Sequence, residues 1–257
     1  MKPINWADKA LLSEIEFSKA LKSQPTEYPN FIHLYNPYVP WGGDYNRSVK
    51  VALPSPDVFD DVNSQVAAIH RQKGLEPPDR FDVTPPALDE SQWQEFLRQR
   101  GFSLRTAVFF QTSTRPVELP DGFTLYHPDP DEYLAWYRQM AEDQGYATSD
   151  WFEQSLPLRL NFCRVFQPCW LRKNGEQIGW VYAAHLGGFT RLFEVEILPQ
   201  FQGQGMGRIL MRSVIAEGYR QGSRYILLQA GERLKPFYEK CEFRECSRNS
   251  IIRHIEP

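Results

Sequence analysis

Phe193-Glu194-Val195-Glu196-Ile197-Leu198-Pro199-Gln200-Phe201-Gln202-Gly203-Gln204-Gly205-Met206-Gly207-Arg208 is the stretch that decides the fold class. Apolar residues alternate with carboxylates up to a proline, a glycine-rich turn follows, and Met206, Ile209, Leu210, Val214 and Ile215 then recur at helical spacing. The segment therefore reads as a strand feeding a turn that opens a helix, which Gly222 ends as a C-terminal glycine. The first amides of a helix lack intrahelical acceptors, and the helix dipole adds positive potential there, so several N–H groups converge where an anion can sit. Glycines at 203, 205 and 207 let phosphate oxygens approach the backbone and permit positive φ. Spacing weakens two alternatives: a dinucleotide fingerprint needs glycine at 208, where Arg208 stands, and a P-loop needs Gly-Lys-Ser/Thr.

Outward from this stretch the pattern is a mixed α/β chain. Upstream, residues 123–126 read as a short strand, and Asp129-Pro130-Asp131-Glu132 caps a helix whose apolar face is Tyr133, Trp136, Tyr137 and Met140. A second short helix is expected over 149–154. Strands at 164–172 and 177–186 flank Lys173-Asn174-Gly175-Glu176, where Asn-Gly signals a hairpin. Downstream come a strand at 225–229, a short helix at 233–240 and one or two closing strands over 243–255. The first half reads as a weaker version of this plan: strands at 31–35, 49–53, 81–83 and 102–111, helices at 58–72 and 90–100. Phe96-Leu97-Arg98-Gln99-Arg100-Gly101-Phe102 echoes Phe237-Tyr238-Glu239-Lys240-Cys241-Glu242-Phe243, a hint of an internal repeat. Prolines at 116 and 120 interrupt both helix and sheet, so the main boundary is placed there, giving domains 1–115 and 116–257.

The pattern Gln-x-x-Gly-x-Gly at Gln202, Gly205 and Gly207 resembles the acetyl-CoA-binding motif of the GNAT superfamily of N-acetyltransferases, as does the preceding Ile197-Leu198-Pro199. Pro236 to Phe243 is similar to that family's tyrosine-bearing helix segment, and the order of elements from Phe123 onward matches its plan. The resemblance implies a mostly antiparallel mixed sheet flanked by helices, with a degenerate GNAT-like copy in the N-terminal half. It implies acetyl-CoA as acyl donor and direct attack by an amine in a ternary complex. Main-chain groups of Ile197 and Leu198 would meet the pantetheine arm. The amides of Gln202, Gly203, Gln204, Gly205, Met206 and Gly207, with Arg208 nearby, would hold the pyrophosphate. Tyr238 would protonate the departing thiolate. Two positions depart from the family: Gly231 stands where many members have Asn, and Glu242 where they have Gly. In the N-terminal copy the matching turn, Pro54-Ser55-Pro56-Asp57, has no glycine, so no CoA site is expected there.

The chemistry needs a neutral amine, hence a base. By strand alternation Glu194 and Glu196 share one face, with Phe193, Val195 and Ile197 on the other, and two neighbouring carboxylates raise one another's pKa. Glu196 ranks first, Glu194 second, and His185 on the preceding strand is a further candidate. The other reading of the same motif is a non-catalytic acyl-CoA sensor or scaffold.

Composition excludes little else. The 257 residues are 42% hydrophobic, 14% aromatic and 24% charged, enough for a packed core, and no long apolar run argues for a membrane span. A net charge of −3 without basic clusters offers nothing to nucleic acid. The partner expected is a small-molecule or peptide amine, and a homodimer is compatible with the sequence. The N-terminus lacks signal-peptide and transit character, so the expected location is cytoplasmic. Cys163, Cys169, Cys241 and Cys246 lack zinc spacing and read as reduced thiols, with no metal implied.

Overall fold

The computed structural model describes residues 4–39, 45–84, 87–143, 145, 152–153, 156, 163, 165–186 and 188–255. They form two compact units, the first of residues 1–109, 230–235 and 245–257, the second of 110–229 and 236–244.

The first unit contains α1 (Trp6–Ala20), β1 (Gln24–Tyr28), β2 (Phe31–Tyr35), β3 (Arg47–Val51), α2 (Pro56–Lys73), β4 (Arg80–Val83), α3 (Glu90–Arg98), most of β5 (Phe102–Ser113) and most of β11 (Arg244–His254). Strands β1, β2 and β3 form an antiparallel meander, and β4 lies parallel to β3 across the α2 connection. In α2 the proline at the first position fits its preset φ to the helix start, and Gly74 ends it at φ 66. Phe59, Val62, Val66 and Ile69 make its buried stripe and pack with Phe81, Trp93, Leu97, Phe102 and Ile252 into one core. Under α1 lies a buried ion network: Arg47 bonds Glu14 at 2.6 Å and Asp82 at 3.1 Å, and Arg80 reaches Asp82 at 2.9 Å.

The second unit contains β6 (Phe123–Tyr126), α4 (Pro130–Asp143), β7 (Gln167–Lys173), β8 (Glu176–Leu186), β9 (Phe189–Ile197), α5 (Met206–Arg220), most of β10 (Tyr225–Gly231) and most of α6 (Lys235–Lys240). Its strand order is β10-β9-β8-β7-β6, antiparallel except for the parallel pair β9/β10 joined by α5. The β7/β8 hairpin turns at Asn174 (φ 50) and Gly175 (φ 89), the left-handed pair that Asn-Gly supplies most cheaply. On α4, Tyr133 and Tyr137 are buried, and the Tyr133 hydroxyl lies 2.9 Å from that of Tyr182 on β8.

The mixed, mostly antiparallel α/β fold expected from the sequence is what forms. The compact units divide the chain otherwise than at 115/116, since most of the last strand lies in the first unit. Ile251, Ile252 and Arg253 of β11 pair antiparallel with Asp82, Phe81 and Arg80 of β4, and Ile252 enters the first unit's core. Helix α1 and strand β1 add to the expected elements. Asn5 is the cap of α1, its side chain accepting from the Asp8 amide. Of the helix expected at 149–154, only Phe152 and Glu153 are among the described residues.

Candidate functional site

The site starts from an irregularity in β9. Trp180 of β8 pairs with Glu196, yet Tyr182, two residues on, pairs with Phe193, three residues back, so β9 carries one extra residue. Glu194 sits in this bulge at φ 46, a left-handed conformation that costs a non-glycine residue roughly 1 kcal/mol or more. Strict alternation therefore does not run through the bulge: Phe193 and Glu196 lie opposite Tyr182 and Trp180, which share one face of the sheet. Glu194 and Glu196 remain electrostatic neighbours all the same. The Glu196 carboxyl is pushed above the ordinary carboxylate range, first by partial burial and then by the Glu194 charge.

On its other side β9 parts from its parallel neighbour. Pairing with β10 runs from Phe189↔Tyr225 to Leu192↔Leu228 and ends there, so beyond Leu192 the two strands part. Leu198 donates its N–H to Ile178 of β8 at 2.9 Å, so the backbone of Ile197, one residue earlier, faces away from β8 and into the divergence. The Ile197 carbonyl is occupied by the Gln202 side-chain amide at 2.9 Å. Leu198 is engaged on both sides. Its carbonyl accepts from Phe201, so both its backbone groups are committed to β8 and to the following turn.

The glycine turn comes next. Gly203 (φ 73) and Gly205 (φ 80) are both left-handed, and a Cβ on either would meet no atom within 4 Å. Glycine is required here for backbone conformation and leaves open space above the amides. Gln202 and Arg208 donate to Pro199 and Gly205, whereas the five amides of Gly203, Gln204, Gly205, Met206 and Gly207 find no backbone acceptor among the described residues. They form the mouth of α5, with the exposed Arg208 one residue inside it. Gly207 serves packing instead. A Cβ there would press on the Phe237 ring at 3.0 Å, so the missing side chain lets α5 and α6 approach.

That approach sets Tyr238. It is 5% exposed, its ring tilted against Phe110 and edge-on to Phe237 and Phe243, and burial pushes its hydroxyl up to about 12. Nearby Arg191 acts in the opposite direction, and Tyr238 thus stays protonated across the physiological range. Among the described residues its hydroxyl makes no hydrogen bond to a backbone carbonyl, the bond a purely structural tyrosine would be expected to make. His185 is not brought to this place. It faces Thr190, with Nδ1 2.8 Å from the Thr190 hydroxyl, six residues before Glu196 and hence roughly 20 Å away along the strand.

Two contributors escape a reading of the sequence alone. Gly179 lies opposite Ile197, and a Cβ there would stand 2.3 Å from the Glu196 carbonyl oxygen, so the bulged strand can pack only on glycine. Arg191, 2% exposed with its guanidinium 4.8 Å from the Phe193 ring centre, places a buried cation under the site. A glycine within a run of strand residues is the available signal for the first; nothing local marks the second. The four cysteines are thiols outside any disulfide, and the described residues contain no cluster of three or more metal-ligating side chains.

A bulged strand diverging from its parallel partner beside an amide-lined helix mouth makes an α/β site suited to an extended anionic ligand. Residues 166–245 match the sequence model of the acetyltransferase (GNAT) domain. Solved structures are similar over almost the whole chain. A conserved protein of unknown function from Staphylococcus epidermidis has TM-score 0.66 at 15% identity, covering 91% of this chain and 95% of that one. A GCN5-related N-acetyltransferase from Kribbella flavida has TM-score 0.63 at 13% identity, covering 96% of each. Another, from Sphaerobacter thermophilus, has TM-score 0.55 at 15% identity over 99% of this chain and 95% of that one. At these identities the likeness is one of fold. No helix among the described residues is long and apolar enough to cross a membrane.

Proposed function

We propose that the chain is an N-acetyltransferase that moves an acetyl group from acetyl-CoA to a primary amine of a small molecule, peptide or protein. The observation that carries this reading is the row of five amides, Gly203 to Gly207, without a backbone acceptor among the described residues, at the mouth of α5 where β9 parts from β10. Amides fixed in this way suit a diphosphate, and the Ile197 backbone suits an amide of an extended arm once Gln202 releases its carbonyl. When bound, acetyl-CoA supplies an activated thioester carbonyl.

The chain's own groups do the rest. Glu196, with its raised pKa, takes a proton from the incoming ammonium, directly or through one water, and so frees the lone pair that attacks. Glu194 tunes it by charge. Tyr238, protonated at neutral pH, gives its proton to the sulfur as the thiolate departs. The acceptor itself, the acyl chain length, a homodimer and a cytoplasmic location all belong to the proposal. So does the view that the N-terminal unit is a degenerate copy without a CoA site. Its α2 opens on Ser55 and Pro56, with no glycine in the turn.

Thiol release from acetyl-CoA over a panel of primary amines, with calorimetry on CoA, tests the assignment. Gly205→Val should abolish CoA binding, because a β-branched residue cannot hold φ 80 without strain and the amide row loses its geometry, while far-UV circular dichroism stays unchanged. Undiminished affinity in that variant would falsify the placement of the site. Glu196→Gln should lower kcat by about 100-fold or more and remove the acid limb of the kcat/KM profile, which should lie above the usual carboxylate pKa. Tyr238→Phe should lower kcat by about 10- to 100-fold with CoA affinity preserved. CoA binding without turnover on any amine would favour the sensor reading.

A further inference from the structure

The second unit holds another opening, on the far face of its sheet. A cleft of 400 Å³ is lined by His127, Gln167, Pro168, Glu217, Arg220 and Gln221, a volume within the range of small-molecule sites. Cys169, whose thiol lies 3.6 Å from His127 Nδ1, precedes Trp170 on β7, and Trp170 pairs with Trp180, which pairs with Glu196. Consecutive strand residues point to opposite faces, so this cleft and Glu196 are on opposite sides of the sheet.

At the floor is a carboxylate that the proposed chemistry does not use. The Glu217 side chain is 2% exposed and lies in the last turn of α5, where the helix dipole is negative. Both burial and dipole oppose its ionisation. It is nonetheless held down at about 2, chiefly by His127, at 3.7 Å, and by the Gln221 amide, which donates at 2.7 Å. The floor of the cleft therefore holds a fixed carboxylate. Its counter-charge is not fixed: Arg220 reaches Glu217 at 2.6 Å, yet the Arg220 side chain is 60% exposed and only its tip covers the floor. A long solvated arm is a replaceable partner, and the carboxylate beneath it repels anions.

We infer that this cleft binds a small organic cation, a primary ammonium or guanidinium group, which takes the place of Arg220 against Glu217. The side-chain carbonyls of Gln167 and Gln221 accept its remaining N–H groups, and Pro168 packs on its stem. Arg220 acts as a tethered competitor, so the free cleft is partly self-blocked and apparent affinity is reduced by the fraction of time the arm is closed.

The test is calorimetry on the full chain without acyl donor, using propylammonium and ethylguanidinium as probes and acetate and inorganic phosphate as anionic controls. Saturable binding of a cation and not of the anions is expected. Arg220→Ala should tighten it by about tenfold through removal of the competitor, and Glu196→Gln should leave it unaltered. Glu217→Gln should weaken it at least about tenfold, since one pairing charge is lost. Because that last variant removes a buried anchoring group, Arg220→Ala decides should Glu217→Gln fail to fold. No cation binding in either wild type or Arg220→Ala, weaker binding in Arg220→Ala, or loss of binding in Glu196→Gln would overturn the inference.

Discussion

Glu242 holds φ 67 in the turn after α6, a conformation that glycine adopts freely and a residue with a Cβ adopts at a cost of roughly 1–2 kcal/mol. Its carboxylate meets Arg115 at 2.7 Å, but both side chains are exposed, and such a pair is worth little. Glu242→Gly should therefore raise stability by about 0.5 kcal/mol, after allowance for the extra entropy glycine loses on folding. A urea midpoint that falls would show that the ion pair outweighs the strain. The sequence marks this position as one where the related family has glycine, so the left-handed turn was legible while the compensating arginine was not. Gly205 was legible for the same reason: its role is dictated by local backbone geometry, which a motif records. Arg191 was not, because a buried cation acquires meaning only from what distant strands place around it.

In β9 the apolar–acidic alternation identified the strand, and the hairpin before it was fixed by Asn174-Gly175. The bulge was hidden, since one additional residue changes register without changing composition. Its trace lies across the ladder in Gly179, where a Cβ would collide with the Glu196 carbonyl oxygen at 2.3 Å. Backbone at that distance cannot step aside as a flexible side chain does. Gly179→Ala is thus expected to cost about 1–3 kcal/mol, the usual range for overpacking, and to shift the bulge that presents Glu196. Acetyl transfer should fall more steeply than CoA binding, since the amide row of Gly203 to Gly207 lies on another element. Wild-type turnover in a folded Gly179→Ala protein would separate the bulge from the chemistry.

For the whole chain, the order of elements was readable from periodicity and turn residues, but the sheet to which β11 belongs was not, since strand sequence does not encode its partner. The same unit that captures β11 also carries a pH dependence that no single segment reveals. His33 on β2 and His70 on α2 are both buried, with ring centres 5.1 Å apart. The Nε2 atoms of both lack a hydrogen-bond partner among the described residues. Burial lowers both, His33 to about 3, helped by the neighbouring charges of His70 and Lys73. Asp79 and the Glu76 carbonyl oppose the shift at His70 without reversing it. A histidine lowered in the folded state binds fewer protons there than when unfolded, so stability is fully present above pH 6.5 and is lost as pH falls from 6.5 toward 3. His33 alone should withdraw about 2 kcal/mol by pH 5, from 1.36 kcal/mol per pH unit below its unfolded pKa. Hydrogen exchange at the Ile32, Val49 and Phe81 amides should record this as falling protection between pH 6.5 and 5. His33→Gln should flatten the slope, whatever it does to absolute stability; an equal slope in that variant would assign the acid sensitivity to other groups.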